Sequence, residues 1–266
     1  ERQAAQAQRI KQAQAFMVPD NIDVAILGGG AAGLCAAITA AEALGANKRV
    51  VVFEKALESG RTILATGGGR CNFTNADLSF ENFSHPEFVQ AVCKDKDTFL
   101  ADILAFFRSS GLAWATEDEG RMYPLTRQAS SIQSLLLRRA QKAGVQFALG
   151  RKVTSVNPLH NGFTVIFQEC FAGEKTHKVH ASTVILATGG LTNTKLAESL
   201  QLKTTSLRPG LCALTCTPEP PASLDGKRVR AHAALLRDGN VLKQEPGELL
   251  FRPFGLSGIM IFNLSR

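Results

Sequence analysis

The chain has 266 residues and a formal net charge of +7, and its apolar and charged fractions are typical of a globular protein. The basic residues form no long run, which argues against a nucleic-acid-binding surface. The six cysteines form no CxxC pair, so we expect reduced thiols, no metal site and a cytoplasmic location.

Residues 1–20 are expected to form an N-terminal extension. Residues 1–15 are rich in Gln and Ala and predict a helix with few apolar anchors. They lack the apolar region of a secretory signal. The uncharged stretch 24–41 approaches the length of a membrane span, but three consecutive glycines near its start argue against that interpretation. We therefore expect no membrane partner.

The most informative segment spans residues 21–55. It contains an apolar run, the pattern GxGxxG, an Ala-rich stretch, a β-branched run and an acidic residue, in this order: residues 24–27, Gly28, Gly30, Gly33, 36–44, 50–53 and Glu54. This order predicts a strand, a tight turn, a helix, a second strand and an acid at its tip. It is typical of the βαβ unit that binds the ADP half of a dinucleotide.

Each of these residues has a distinct expected role. Gly28 permits the unusual dihedrals of the turn, Gly30 leaves room for a pyrophosphate, and Gly33 lets the helix pack close to the strand. The helix N-terminus would direct free N–H groups at the phosphates. Glu54 is placed to accept hydrogen bonds from a ribose diol. Its charge disfavours a 2′-phosphate, so NADP is not the expected ligand of this unit.

A second glycine-rich segment occupies residues 60–75. Three consecutive glycines precede a dense set of polar residues: Arg70, Cys71, Asn72, Thr74 and Asn75. A flexible linker would not need this density, so we expect backbone N–H groups and the Arg70 guanidinium to contact a phosphate or carboxylate. Cys71 beside Arg70 could have a lowered pKa, but a packing role for its small side chain is favoured.

The middle of the chain combines helical and β patterns. Residues 80–144 read as mostly helical, with apolar stripes that predict helices at 97–108 and 130–142, the second capped by Ser130. Short strands and one turn follow, at residues 145–148, 152–156, 157–162 and 162–170. The buried-type strand 182–190 ends in Thr188, Gly189 and Gly190. Such an end lies at the ligand crevice of a doubly wound sheet.

Four motifs in the same order resemble the HI0933-like or BaiN-like family of FAD-dependent flavoproteins, also called aminoacetone-oxidase-like. They are DVAILGGGAAGLCAA, ILATGGGRCNFTN, VILATGG and GELLF…GLSG…LSR, which begin at Asp23, Ile63, Val184 and Gly247. The GGGRCN-x-TN pattern is specific to that family. The first glycine motif and the ATGG motif are shared by many flavoproteins.

The resemblance implies FAD as the cofactor and extends the set of expected binding residues. It adds Lys55 and the loop from Thr66 to Thr74, and it places the backbone of Val153 beside the adenine. The complete expected set is Gly28, Gly30, Ala31, Ala32, Gly33, Glu54, Lys55, Arg61, Thr66, Gly67, Gly68, Gly69, Arg70, Cys71, Asn72, Thr74, Val153, Ala187, Thr188, Gly189 and Gly190.

The expected fold class is α/β, with a doubly wound, Rossmann-like FAD-binding domain at residues 21–190. An inserted β-rich domain is expected at 191–266, with a hairpin turn at Asp238 and Gly239. Family members continue beyond the position that matches Arg266. The chain is therefore expected to be truncated at its C-terminus, without the glycine-rich segment that closes on the flavin.

The expected function is that of an FAD-dependent oxidoreductase that transfers a hydride or two electrons, with NAD(P)H as a candidate donor. The resemblance suggests small amines or unsaturated steroid-like molecules as substrates. Two alternatives remain, an NAD-dependent dehydrogenase and a non-catalytic nucleotide-binding protein. Tyr123 and His232 lack a visible orienting partner, so no catalytic residue is identified. The oligomeric state is not indicated.

Overall fold

The computed structural model describes residues 2–93, 95–171, 173, 175–190, 194–206 and 210–265. It divides into two compact units, Glu1–Thr204 and Thr205–Arg266. The domain boundary expected between residues 190 and 191 stays a prediction, since residue 191 lies outside the described residues. The helix that follows packs in the core of the first unit through Leu196.

The first unit contains helices and strands in alternation. Its helices are α1 (Arg2–Ala15), α2 (Ala31–Leu44), α3 (Arg61–Leu64), α4 (Pro86–Cys93), α5 (Lys96–Ser109), α6 (Ala129–Lys142) and α7 (Thr194–Ser199). Its strands are β1 (Asn21–Leu27), β2 (Val50–Glu54), β3 (Thr74–Asn75), β4 (Trp114–Thr116), β5 (Arg121–Pro124), β6 (Gln146–Leu149), β7 (Arg151–Leu159), β8 (Gly162–Glu169) and β9 (Thr176–Leu186).

The main sheet has the strand order β6-β2-β1-β9-β8-β7. The strands β6, β2, β1 and β9 are parallel, and Leu27 of β1 pairs with both Phe53 of β2 and Leu186 of β9. The carboxyl ends of these three strands therefore meet at one edge of the sheet. The expected Rossmann-like fold class is confirmed.

Two hydrophobic clusters cover the two faces of the sheet. On one face, α2 and α6 pack against side chains such as Ile26 and Val52. On the other face the antiparallel strands β7 and β8 fold back over the parallel strands, and the rings of Phe53 and Phe167 lie 5.2 Å apart. The second face is thus covered largely by strands, a detail that the βαβ pattern did not predict.

The secondary-structure predictions are largely confirmed, with three corrections. The helices at 97–108 and 130–142 are present as α5 and α6, but the cap at Ser130 is wrong. Gln128 is the N-cap and its side chain makes no capping hydrogen bond. The turn at 157–162 is shorter than predicted, because Asn157 pairs with Thr164 across the hairpin. The region 80–144 also contains β4 and β5, which form a small sheet with β3.

Helix α1 confirms the helix predicted in the N-terminal extension. Its attachment is local: Ala13 is buried, Arg9 pairs with Glu58 at 3.3 Å, and Gln14 donates to the carbonyl of Phe171 at 3.1 Å. None of the helices in the described ranges combines the length and the apolar character that crossing a membrane requires.

The second unit is built on an antiparallel sheet with the order β10-β13-β12-β11. Its elements are β10 (Leu214–Thr215), β11 (Arg228–Arg237), β12 (Asn240–Arg252), β13 (Gly255–Ser257) and α8 (Ile259–Leu264). Helix α8 packs on this sheet through Met260 and Leu264. The predicted hairpin turn at Asp238 and Gly239 is confirmed, with both residues at positive φ as a tight two-residue turn requires.

Arg139 links three helices of the first unit. Its guanidinium makes a two-point contact with the Glu42 carboxylate of α2 at 2.7 and 2.8 Å, and it donates to the Phe106 carbonyl of α5 at 2.8 Å. The hydrogen bond from Arg139 holds the pKa of Glu42 below its usual value. Glu42 lies near the C-terminal end of α2, so this contact fastens the helix at the end opposite the N-terminus described below.

Replacing Arg139 with Met should lower the free energy of unfolding by about 2 kcal/mol, because charge-assisted hydrogen bonds to two helices are lost. Urea denaturation measures the change. Arg138→Met is the matched control on the same helix. Its side chain is exposed and donates only to Ser134 among the described residues, so the effect should stay within about 0.5 kcal/mol. Equal losses in the two variants would contradict the structural role of Arg139.

Candidate functional site

The turn after β1 is shaped by two glycines that no other residue could replace without movement. Gly28 has φ of +108°, and a Cβ there would lie 2.5 Å from the carbonyl oxygen of Ala187 on the chain that follows β9. A Cβ on Gly33 would lie 1.8 Å from the carbonyl oxygen of Gly28. The close approach of α2 to β1 therefore depends on Gly33, as the GxGxxG spacing predicts.

Gly30 differs from these two glycines. Its φ is −76°, which any residue adopts, and among the described residues a Cβ there would meet only Thr62 Oγ1, at 3.5 Å. The packing of these residues therefore does not require glycine at this position. Gly30 is the N-cap of α2, and as a glycine it has no side chain with which to cap the helix. The space in front of the helix N-terminus is thus open to a ligand that approaches the backbone.

Glu54 lies at the tip of β2 and is half-buried. Its carboxylate accepts the N–H of Gly29 at 2.9 Å through Oε2 and the N–H of Ala56 at 2.8 Å through Oε1. Each carboxylate oxygen can accept a further hydrogen bond. Glu54 therefore orients the glycine turn in the protein itself and retains acceptor capacity for a ribose diol.

A cleft of about 600 Å³ opens at this edge of the sheet. It is lined by five of the residues predicted to bind the cofactor: Gly28, Glu54, Lys55, Val153 and Thr188. These residues lie at or just after the ends of β1 and β2, in β7 and in the segment after β9, which are far apart in the sequence. The predicted adenosine-binding residues are thus brought together by the sheet.

The cleft also contains basic residues that the sequence motifs did not indicate. Lys152 and Lys195 line it together with Lys55, and all three side chains are exposed. Arg151 lines it too, but it is buried and pairs with Glu169 at 3.2 Å. The surplus of positive charge suits an anionic ligand such as a diphosphate. No spacing pattern links these residues, since only the tertiary structure places α7 and β7 beside the glycine turn.

The loop of residues 66–69 adopts an unusual backbone. Gly67, Gly68 and Gly69 all have positive φ, at 54°, 65° and 88°, and the loop is exposed. A Cβ on Gly67 would lie 3.0 Å from the backbone nitrogen of Asn72. Successive left-handed residues are sparsely populated for other amino acids, so this backbone requires the glycine run. The loop leads into β3, which contains Thr74, while Asn72 is exposed.

Arg70 is held by contacts within the protein. Its guanidinium pairs with Glu117 at 3.1 Å and lies over the ring of Tyr123, 4.4 Å from the centroid. Arg127 also contacts Glu117, at 3.2 Å. The expected contact between the Arg70 guanidinium and an anionic ligand stays a prediction. In the structure, the Glu117 carboxylate already accepts from one of the N–H donors of this guanidinium.

Cys71 is buried and packs in the core cluster beneath α2 and α6. Burial raises the pKa of its thiol above the ordinary value, and a hydrogen bond with Thr66 acts in the opposite sense to a smaller extent. The thiol is therefore protonated at neutral pH. This agrees with a packing role rather than with a thiolate activated by Arg70.

The remaining predicted residues fall into three places. Ala31 and Ala32 are exposed in the first turn of α2. Ala187, Gly189 and Gly190 follow β9, and a Cβ on either of the two glycines would meet no atom of the described residues within 4 Å. Arg61 is not among the described residues that line the main cleft. It lines a separate cavity of about 520 Å³ beside α1, together with Arg9, Glu58 and Phe171.

The arrangement fits the ADP half of FAD. The open cradle at Gly30 and the uncapped N-terminus of α2 would receive the pyrophosphate, Glu54 would receive the ribose, and the wall that contains Val153 would receive the adenine. Within the described ranges, no group of three His, Cys, Asp or Glu side chains could hold a metal ion.

Fold and site together define a Rossmann-like dinucleotide-binding protein. Residues 22–205 match the family model described as "HI0933-like protein Rossmann domain". Since this match covers most of the chain, the chain belongs to the HI0933-like family. This is a family of FAD-dependent oxidoreductases, and the resemblance predicted from the four motifs is confirmed.

Two curated relatives align with nearly the whole chain. The 3-dehydro-bile acid delta(4,6)-reductase of Clostridium scindens is 33% identical over 254 residues, which covers 91% of this chain and 59% of that protein. The ribosomal RNA dihydrouridine synthase of Escherichia coli is 28% identical over 262 residues, which covers 92% of this chain and 61% of that protein. The chain thus spans less than two thirds of the length of either relative.

Among solved structures, the chain is similar to the crystal structure of Thermovibrio ammonificans THI4. The TM-score is 0.48 at 16% sequence identity, and the alignment covers 75% of this chain and 67% of the other.

The thiol of Cys71 should react slowly with a disulfide reagent such as DTNB, because it is buried and its pKa is raised. In a time course at neutral pH, Cys71→Ser should lose one thiol from the slow phase and none from the fast phase. Cys170→Ser is the matched control, since Cys170 is exposed. Loss of a fast-reacting thiol in Cys71→Ser would show an activated thiolate and contradict the packing role.

Proposed function

We propose that this chain binds FAD through the cleft at the edge of the main sheet and is the cofactor-binding part of an oxidoreductase. Bound FAD would supply two-electron chemistry. The protein would supply the backbone donors of the α2 N-terminus, the carboxylate of Glu54 and a surface that orients the flavin. The membership of the chain in a family of FAD-dependent oxidoreductases supports this proposal.

The observation that carries the proposal is the contrast between Gly30 and Gly33. Packing explains Gly33, because a Cβ there would collide with the Gly28 carbonyl, whereas no contact among the described residues explains glycine at position 30. A ligand that must approach the backbone of Gly30 does explain it. The position lies at an uncapped helix N-terminus, so the ligand group is anionic, which is consistent with a pyrophosphate.

We propose a reductive reaction on a small organic substrate, with NAD(P)H as the electron donor. The relative at 33% identity is named a reductase that acts on a 3-dehydro-bile acid, which favours an unsaturated steroid-like substrate over a small amine. Glu54 does not oppose NADPH as a transient donor, because that donor would meet the flavin rather than occupy the FAD site.

A second candidate follows from the other curated relative, which is named a synthase of dihydrouridine in ribosomal RNA. It would make RNA the partner of the whole protein and would contradict our expectation that no nucleic acid is bound. The lower identity of this relative, 28% against 33%, places the candidate second.

Gly30→Ala tests the cofactor site. The variant should keep its free energy of unfolding within about 1 kcal/mol, because the added Cβ meets only Thr62 Oγ1 among the described residues and the change from glycine to alanine at an N-cap costs about 1 kcal/mol or less. Its affinity for FAD should fall by about tenfold or more, because the Cβ would occupy the space of the pyrophosphate. Titration of the apo-protein with FAD, followed by flavin fluorescence, measures the affinity.

Gly33→Ala is the control, and it should lower the free energy of unfolding by about 2 kcal/mol or more, because α2 must move away from β1. An FAD affinity in Gly30→Ala equal to that of the wild type would sink the proposed site. A colourless wild-type protein that binds NAD in place of FAD would favour the dehydrogenase alternative.

The donor and the substrate are tested with the FAD-loaded chain under anaerobic conditions. NADH or NADPH should bleach the absorbance of the oxidised flavin, and an unsaturated 3-oxo steroid should restore it while a saturated analogue does not. Reduction by dithionite but by neither nicotinamide would favour a non-catalytic protein. Reoxidation by uridine-containing ribosomal RNA, in place of the steroid, would favour the second candidate.

A further inference from the structure

The loop between β2 and α3 encloses the backbone of Gly29 in the glycine turn. The N–H of Gly60 donates to the carbonyl of Gly29 at 2.6 Å, and the N–H of Gly29 donates to Glu54 Oε2 at 2.9 Å. On a third side lies Ser59, whose Oγ would be 2.4 Å from a Cβ placed on Gly29. The turn is therefore held from outside the βαβ motif as well as from within it.

The contact between Gly60 and Gly29 sets the direction of the peptide group that joins Gly29 to Gly30. In a planar trans peptide the C=O and N–H groups point in opposite directions. Because the Gly29 carbonyl points at Gly60, the N–H of Gly30 points away from the loop. Gly30 is the N-cap of α2, so this N–H joins the donors that an anion meets at the helix N-terminus.

Gln133 of α6 holds the loop in this position. Its side chain is 5% exposed, and its Nε2 donates to the carbonyl of Ser59 at 2.9 Å and to Glu58 Oε1 at 3.2 Å. Within the described residues the hydroxyl of Ser59 has no hydrogen-bond partner, so the Ser59 side chain does not anchor the loop. Gln133 also packs against this loop, since a Cβ on Gly60 would lie 2.8 Å from Gln133 Cγ.

We infer that Gln133 is a positioning residue for dinucleotide binding, which acts through Ser59 and Gly60 on the peptide between Gly29 and Gly30. The two donated hydrogen bonds keep the loop against the glycine turn before any ligand arrives. Without them, loop and peptide must be ordered when the pyrophosphate binds, and that ordering costs affinity. The inference rests on the proposed FAD function and adds to it a residue outside every recognised motif.

The test is Gln133→Met in the full chain, which removes both donors and keeps the length of the side chain. Its dissociation constant for FAD, from titration of the apo-protein, should rise by about tenfold, as expected for two lost hydrogen bonds that order the site. Arg139→Met is the matched control on the same helix. It should lower the unfolding temperature at least as much, while the dissociation constant changes by less than about threefold.

Gln133→Asn is a second variant, to be used if the Met variant does not fold. The side chain of Asn is one methylene shorter than that of Gln, so its amide cannot reach the carbonyl of Ser59. A folded Gln133 variant that binds FAD as tightly as the wild type overturns the inference. The inference is also overturned if Gln133→Met and Arg139→Met both lose affinity for FAD, and if the loss in each variant is proportional to its decrease in unfolding temperature. A wild-type chain that binds no FAD overturns the proposed function, and the inference with it.

Discussion

The first unit depends on the contact between α2 and β1 at Gly33 and Gly28. Because no side-chain atom separates Gly33 from the Gly28 carbonyl, the helix axis can lie close to the strand, and its N-terminus sits above the carboxyl ends of β1, β2 and β9. The cleft forms at this junction, with Glu54 oriented by the same turn. A larger residue at position 33 would separate the dipole of the helix from the residues that line the cleft.

Charge is distributed unequally between the two glycine-rich segments. Three lysines line the cleft near the first segment. Their exposed ammonium groups can attract an anion from a distance, and salt weakens this attraction by screening the charges. Near the second segment, Arg70 and Arg127 share Glu117, and burial keeps the Cys71 thiol neutral. The cleft beside the first segment therefore carries a surplus of positive charge, whereas the second segment has a backbone shape that its three positive-φ glycines permit.

Local patterns predicted the elements whose reasons are local. The helices α5 and α6, the βαβ unit and the hairpin turn at Asp238 and Gly239 follow from spacing and turn chemistry within short windows. Strand β5 was missed, because it is formed by pairing with two very short strands, β3 and β4. Of these, β3 is also distant from β5 in the sequence. Arg61 lies in α3 and lines another cavity, and its predicted role in binding the cofactor stays a prediction.

The sequence by itself determined the strand, the turn and the helix of the βαβ unit, because the glycines at positions 28, 30 and 33 and the acid at position 54 have a spacing that can be read within one short window. Only the tertiary structure decided what surrounds them. Lys152, Lys195 and Gln133 reach the site through β7, α7 and α6, and the pKa of Cys71 follows from its burial. These properties depend on distances between segments remote in sequence, which packing sets and no local pattern encodes.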